Sequence, residues 1–458
     1  MTTSMNDSAL PPPLPVSKPG FSPRCSLLGA VLAVAVIAAC VVFVVRTHAS
    51  HRKGEGAGEH PNRMLELMAR YVVGVKELMR ATQQPDGGLM EVVAQDITKY
   101  SLTDEDALRL MILKGWLKGA WPAEDALDAV AAKNAGLRAD VETLRQMKAG
   151  HGEAPAEAWK KLRQRHGWLA ELARAQTGDD KAKQTVAEQG LQTAAVLFAV
   201  SLLGMLAAVA GLGVLIWGIV RWQGGKLRLT LALRSRGEGG VLLEGFAIYL
   251  ALFLLVPWLL RQMFTSLPYG AAYGPALVVL VIGMMWPRVR GMQRAEWREA
   301  LGLHRGQGWW REMGVGILVW LASLPLLVVG MIAASWIIKV TGEFPSHPIV
   351  DVFAGSGWAK FAAILLAVVW APVSEEIMFR GLLFPGLSAW LRSLLGALLG
   401  AFVFAAVHPQ SWAGVPAIMA LACSFSFLRL WRRSLIAPMT AHALNNGIMC
   451  VVMLILWS

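Results

Sequence analysis

Long uninterrupted apolar blocks, not helical or strand periodicity, set the limits on what this chain of 458 residues can fold into. A bilayer core takes about 20 residues of helix, and within it every backbone N–H and C=O must find its partner inside the segment, so such blocks read as membrane-spanning helices. The blocks fall at residues 25–45, 193–220, 241–260, 271–286, 313–338, 359–384, 394–411, 414–430 and 434–457, which gives about 9 spans. The expected fold class is all-α, a polytopic membrane helical bundle with an inserted soluble helical domain. Hydrophobic residues make up 55% of the chain and charged residues only 16%, as that class requires.

The net charge of +12 does not point to nucleic acid, because the basic residues lie beside the spans. Arg221, Lys226 and Arg228 follow the second block, Arg288, Arg290 and Arg294 the fourth, and Arg429, Arg432 and Arg433 the eighth. An excess of Lys and Arg in short loops marks the cytoplasmic side. With alternating spans this puts the N-terminus in the cytoplasm and residues 46–192 outside, in a multi-pass protein of a bacterial-type plasma (inner) membrane.

The chain divides into five regions. Residues 1–24, rich in Pro and Ser, form a disordered tail. Residues 25–45 are an N-terminal transmembrane anchor; Ile37-Ala38-Ala39-Cys40 resembles a lipoprotein cleavage box, but the apolar run continues through Val45, which favours an uncleaved signal anchor. Residues 46–192 are an extracytoplasmic helical domain, with a capping pair at Thr103 and Asp106, a helix opened by Pro122 at Ala123, and Trp116, Trp121, Trp159 and Trp168 for a small core. Residues 193–240 supply the second span, with Gly204, Ala208, Gly211 and Gly213 for close packing, and a basic cytoplasmic loop. Residues 241–458 are the multi-span core. The four cysteines lie in apolar blocks without CxxC spacing and read as small packing residues.

Ionisable residues in this last region mark a candidate site. Seven of the nine histidines lie in polar stretches, whereas His408 and His442 lie in apolar blocks, downstream of Glu375, Glu376 and Arg380. A titratable side chain at membrane depth is costly and faces other polar groups, so it marks a functional site. On a helix, Glu376 and Arg380 share a face as an ion pair, and Glu375, about 100° around, stays free to act as a general base. Phe404 with His408, and His442 with Asn446, are likewise four apart, so three spans could converge on one cavity.

Two mechanisms suit these residue types. In one, Glu375 and His408 activate water while His442 and Asn446 donate to the oxyanion of a hydrolysed peptide bond. In the other, His408, His442 and Glu375 bind zinc, which lowers the pKa of a bound water. The residues alone leave both open. A proton-coupled transporter or a membrane scaffold, non-proteolytic in either case, would use the same residue types.

The ordered series Glu375-Glu376-x3-Arg380, Phe404-x3-His408 and His442-x3-Asn446 resembles the motifs of the CPBP family of intramembrane proteases, also called the Abi or CAAX-protease family. The resemblance covers residues 355–455. It implies an all-helical membrane bundle and cleavage of a membrane-associated protein or peptide. It also implies water activation by Glu375 and His408, oxyanion stabilisation by His442 and Asn446, and support from Glu376, Arg380 and Phe404. Bacterial members of such a family are linked to bacteriocin immunity, so an immunity partner that binds without cutting is a further alternative.

Overall fold

The computed structural model describes residues 26–54, 63–84, 88, 90, 92–93, 103–133, 135–231, 235–265, 271, 273–341, 353, 357–408 and 412–456. The tail expected over residues 1–24 and Cys25 lie outside them. The described residues are helical, with no strand among them. They fall into two compact units, one of residues 1–47, 204–339 and 355–451, the other of residues 48–203, 340–354 and 452–458.

In the polar unit, α2 (Arg63–Ala81), α3 (Asp104–Lys118), α4 (Glu124–Ala131), α5 (Ala135–Ala149), α6 (Ala156–His166) and α7 (Trp168–Ala175) enclose Leu108, Leu113, Leu127, Leu137 and Leu144. The Thr103 hydroxyl accepts from the Asp106 N–H at 3.1 Å, and so caps the α3 N-terminus. Pro122 precedes α4, whose N-cap is Ala123. Trp116 and Trp168 are buried in this core, with Trp121 and Trp159 packed on its edge. The last helix, α8 (Asp180–Gln223), starts in this unit and runs on as an apolar span. Gly190 allows α8 to cross α2 closely, since a Cβ on the facing Gly74 would lie 2.0 Å from the Gly190 carbonyl oxygen.

The apolar unit holds α1 (Ser26–Gly54) as far as residue 47, α8 from residue 204, α9 (Arg236–Met263), α10 (Ala276–Val289), α11 (Arg294–Leu301), α12 (Trp309–Thr341) as far as residue 339, α13 (Gly357–Leu365), α14 (Ala371–Glu375), α15 (Phe384–Ala406), α16 (Val415–Arg432) and α17 (Ile436–Leu456) as far as residue 451, the last residues of α17 belonging to the polar unit. Seven helices among the described residues are long and apolar enough to cross a membrane. One of them is the continuous run Gly357–Ala406, which joins the expected spans 359–384 and 394–411 around a sharp corner at Arg392 (φ 66°, ψ 157°). The sequence predicts this break at Pro385-Gly386; the helix instead runs through that pair, passing from the π-helical Glu376–Leu383 into α15 at Phe384. The two legs of the corner touch at Gly396, where a Cβ would meet Ser388 at 2.5 Å. The block expected at 271–286 forms the shorter α10, of 14 residues, or about 21 Å of helix against a core of about 30 Å.

Three features add to the sequence reading. Helix α1, expected as an anchor, also packs within the unit: Ala30, Ala33 and Ile37 are buried with Leu242, Phe246 and Leu250 of α9. Of the three glycines expected to pack in the second span, Gly211 makes a close approach, 2.0 Å from the Leu321 carbonyl oxygen to a built Cβ, while a Cβ on Gly204 or Gly213 would meet nothing within 4 Å. The basic residues closing α16 are not free loop charges. Arg432 pairs with buried Glu312 at 2.8 Å and Arg433 with Glu299 at 2.6 Å, while Arg429 is fully buried.

Candidate active site

The backbone around Glu375 is widened on both sides. Leu366–Trp370 and Glu376–Leu383 are π-helical and flank the five residues of α14. Pro372 has no N–H to return to Val368, and its ring would clash with that carbonyl, so the preceding turn opens; Pro385 stands in the same relation to Gly381. Glu375 therefore ends a short α-helical stretch between two π-helical turns, and Glu376 and Arg380 lie in the second, where the sequence predicts a plain α-helix.

Glu376 is fully buried. Its Oε1 accepts from Arg380 at 3.1 Å and faces His442 Nδ1 at 2.8 Å. Arg380 also donates to the Ala422 carbonyl at 2.9 Å, and its guanidinium lies over the rings of Phe404 at 4.6 Å and Phe425 at 5.2 Å. Phe425 stacks on the His442 imidazole at 5.3 Å. This packing fixes the His442 ring and commits its Nδ1 to Glu376, so that Nε2 is turned towards Glu375.

Glu375 lies at the open side of this arrangement, its side chain 25% exposed and that of His408 22% exposed. Its Oε2 is 3.8 Å from His408 Nε2 and 3.8 Å from His442 Nε2, beyond direct hydrogen-bond length in both cases. That oxygen has no hydrogen-bond partner within the protein among the described residues. His408 Nδ1 donates to the Phe404 carbonyl at 2.6 Å, so a neutral His408 directs the lone pair of Nε2 at Glu375. Tyr249 of α9 is buried in the core that also holds Phe379 and Phe404.

The structure thus gathers Glu375, Glu376, Arg380, Phe404, His408 and His442 around one carboxylate. Asn446, one turn beyond His442, makes its side-chain hydrogen bonds elsewhere: it donates to the Ala367 carbonyl at 2.9 Å and accepts from Asn445 at 3.4 Å. One N–H of its amide is left over from these contacts. Two imidazoles and a carboxylate are the right donor types for zinc, and Phe404 and Glu376 hold the far ring nitrogens as ligand imidazoles require. Among the described residues, however, no group of three or more His, Cys, Asp or Glu side chains is placed to hold a metal ion.

Phe425, Tyr249 and Arg429 escape the sequence reading. Arg429 donates to the carbonyls of Arg380 at 3.2 Å, Ala300 at 2.6 Å, Glu299 at 3.3 Å, and Arg433, which ties α11 and α16 to the π-helical segment. The usable signal was an arginine inside an apolar block, four residues after Phe425.

The fold defines a multi-pass helical membrane protein. Residues 357–448 match the family model described as type II CAAX prenyl endopeptidase Rce1-like, and all seven residues of the expected site lie within the match. Over these residues the chain is thus similar to the CPBP family of intramembrane proteases, to which that model belongs. No curated protein and no solved structure matches the chain.

Proposed function

We propose that the chain is an intramembrane endopeptidase of the glutamate type that hydrolyses a peptide bond of a membrane-associated protein or peptide. The observation that carries this reading is Glu375 Oε2, unpartnered and equidistant at 3.8 Å from two histidine nitrogens. A water molecule held between Glu375 and His408 gives one proton to the carboxylate, while His408 Nε2 accepts its other hydrogen and aims the oxygen. Hydroxide adds to the scissile carbonyl carbon. The resulting oxyanion receives hydrogen bonds from His442 Nε2–H, in a doubly protonated ring braced by Glu376, and from the remaining N–H of Asn446. Protonated Glu375 then delivers its proton to the leaving amide nitrogen, the C–N bond breaks, and the carboxylate is regenerated.

The partly exposed Glu375 and His408, set against fully buried support, suit a site that admits water at membrane depth. The excess of Arg and Lys beside the spans supports a cytoplasmic N-terminus with residues 46–192 outside, in a bacterial-type inner membrane. Glu375→Gln should lower kcat on a membrane-peptide library by about 10²–10⁴-fold, with the helical circular dichroism unchanged. Unchanged cleavage, or a loss of proton flux instead, would assign the cluster to a transporter. Metal analysis with chelation tests the catalytic type: activity should survive chelators, and stoichiometric zinc with chelator-sensitive cleavage would overturn the glutamate reading.

A further inference from the structure

The polar unit contains a cleft of about 710 Å³ lined by α2, the corner between α6 and α7, and the first turns of α8. Its wall is a set of braced cations. Arg63 and Arg70 both donate to the buried carboxylate of Glu66, at 2.9 and 2.7 Å. Arg163 faces Glu171 at 3.3 Å and Arg174 faces Asp179 at 2.8 Å. Exposed Lys181 is the fifth cation, against three carboxylates in the described lining. The Arg70 guanidinium also lies 5.6 Å from the centre of the Trp168 ring, whose Nε1 donates to Gln189 at 2.7 Å. A guanidinium presents five N–H donors in a planar fork. Forks held in place beforehand lose little entropy when they close on a tetrahedral oxyanion.

A second, smaller cavity of about 60 Å³ shares Arg70 and Gln189 with this cleft and continues to Val196 and to Ile455 and Leu456 of α17. Between Gln189 and Val220, α8 carries no charged residue. The step from Gln189 to Val196 is about 10 Å of helix, so the two cavities together lead from a cationic wall into the beginning of an apolar span.

We propose that this cleft is a binding site for a phosphate-bearing anion, with the phosphate against Arg70, Arg63 and Lys181, and that its source is the headgroup of an acidic phospholipid whose first acyl carbons follow α8 past Val196. The gradient from guanidiniums to aliphatic side chains matches the two ends of such a molecule. This site is separate from the hydrolytic one, and its test does not depend on cleavage.

The full chain, purified in a neutral maltoside, is titrated with dioctanoyl phosphatidylglycerol, dioctanoyl phosphatidylcholine and inorganic phosphate, with binding read from tryptophan fluorescence and native mass spectrometry. Phosphatidylglycerol should bind at least about tenfold more tightly than the zwitterionic lipid, and the exposed pair Arg163→Gln with Lys181→Gln should weaken it about tenfold. On the unaltered protein, added sodium chloride should weaken the acidic lipid and leave phosphatidylcholine unchanged, a measurement independent of how the variant folds. Equal affinity for inorganic phosphate, lost in the same variant, would keep the phosphate site and assign it to a free anion. Binding that ignores both the variant and salt, or no binding of any of the three probes, overturns the proposal, as would capture of an acidic peptide alone.

Discussion

Glu375 and Glu376 are neighbours in sequence and opposites in environment, and that contrast can be measured. The Glu376 carboxylate, fully buried, is the counter-ion of an Arg380 side chain that is only 2% exposed. Glu376→Gln would leave that guanidinium buried beside a neutral amide, and removal of one partner of a buried pair costs about 3–5 kcal/mol. A large fall in the thermal midpoint in detergent is expected. Glu375 has no such partner and is a quarter exposed, so Glu375→Gln should lower the midpoint by no more than about 0.5 kcal/mol-equivalent while abolishing cleavage. Equal losses of stability in the two variants would show that the division of labour between support and chemistry is wrong. The i,i+4 spacing of Glu376 and Arg380 was legible in the sequence because helical neighbours are a local matter. That His442 Nδ1 would share the same carboxylate oxygen was not, since it depends on how α17 docks.

The π-helical turns decide which way the carboxylates face. A π turn acts as a one-residue insertion, rotating the downstream residues by about 100° relative to a regular α-helix. Pro372→Ala restores a donor to the turn that opens over Leu366–Trp370, so it should let the α-helical ladder run on and swing Glu375 away from His408. The expected outcome is a fall of at least about tenfold in kcat with the thermal midpoint unchanged or raised, because proline inside a helix is itself unfavourable. A variant that keeps full activity would separate the π turns from function. At the Arg392 corner, Gly396→Val would drive a side chain into Ser388, whose backbone nitrogen is 2.9 Å from a built Cβ. Overpacking of this kind costs about 1–3 kcal/mol, visible as a lowered midpoint. The apolar lengths of 359–384 and 394–411 were readable, but the position of the turn between them was not. Pro385-Gly386 is a strong local breaker, yet the helix runs through it behind a π-helical turn, and the reversal falls on an arginine with positive φ.

At the scale of the whole chain, pH should act on stability through two histidines outside the spans, His166 fully buried and His304 half-buried. Burial pushes the His166 imidazole below its ordinary value, with Asp140 at 3.0 Å only partly opposing this, and burial likewise lowers His304. Unfolded, both titrate near 6.5; folded, they resist the proton, so below that pH the unfolded chain binds more protons and stability falls as pH falls through about 6.5. The thermal midpoint should therefore drop between about pH 7.5 and 5.5, and His166→Gln should flatten the part of the curve that belongs to the polar unit. A midpoint that rises on acidification would contradict the lowered proton affinity of both rings. The sequence by itself determined that this is an all-helical membrane protein and which ionisable side chains are too costly to be incidental, because transfer into a bilayer is a property of each segment taken alone. Only the tertiary structure decided that Glu375 meets His408 and His442, 33 and 67 residues away, that Asn446 spends one donor on Ala367, and that Arg429 is a buried clamp and not a loop charge. Contacts between distant helices depend on their relative rotation and depth, which a π turn or a single strained residue resets and which no local pattern records.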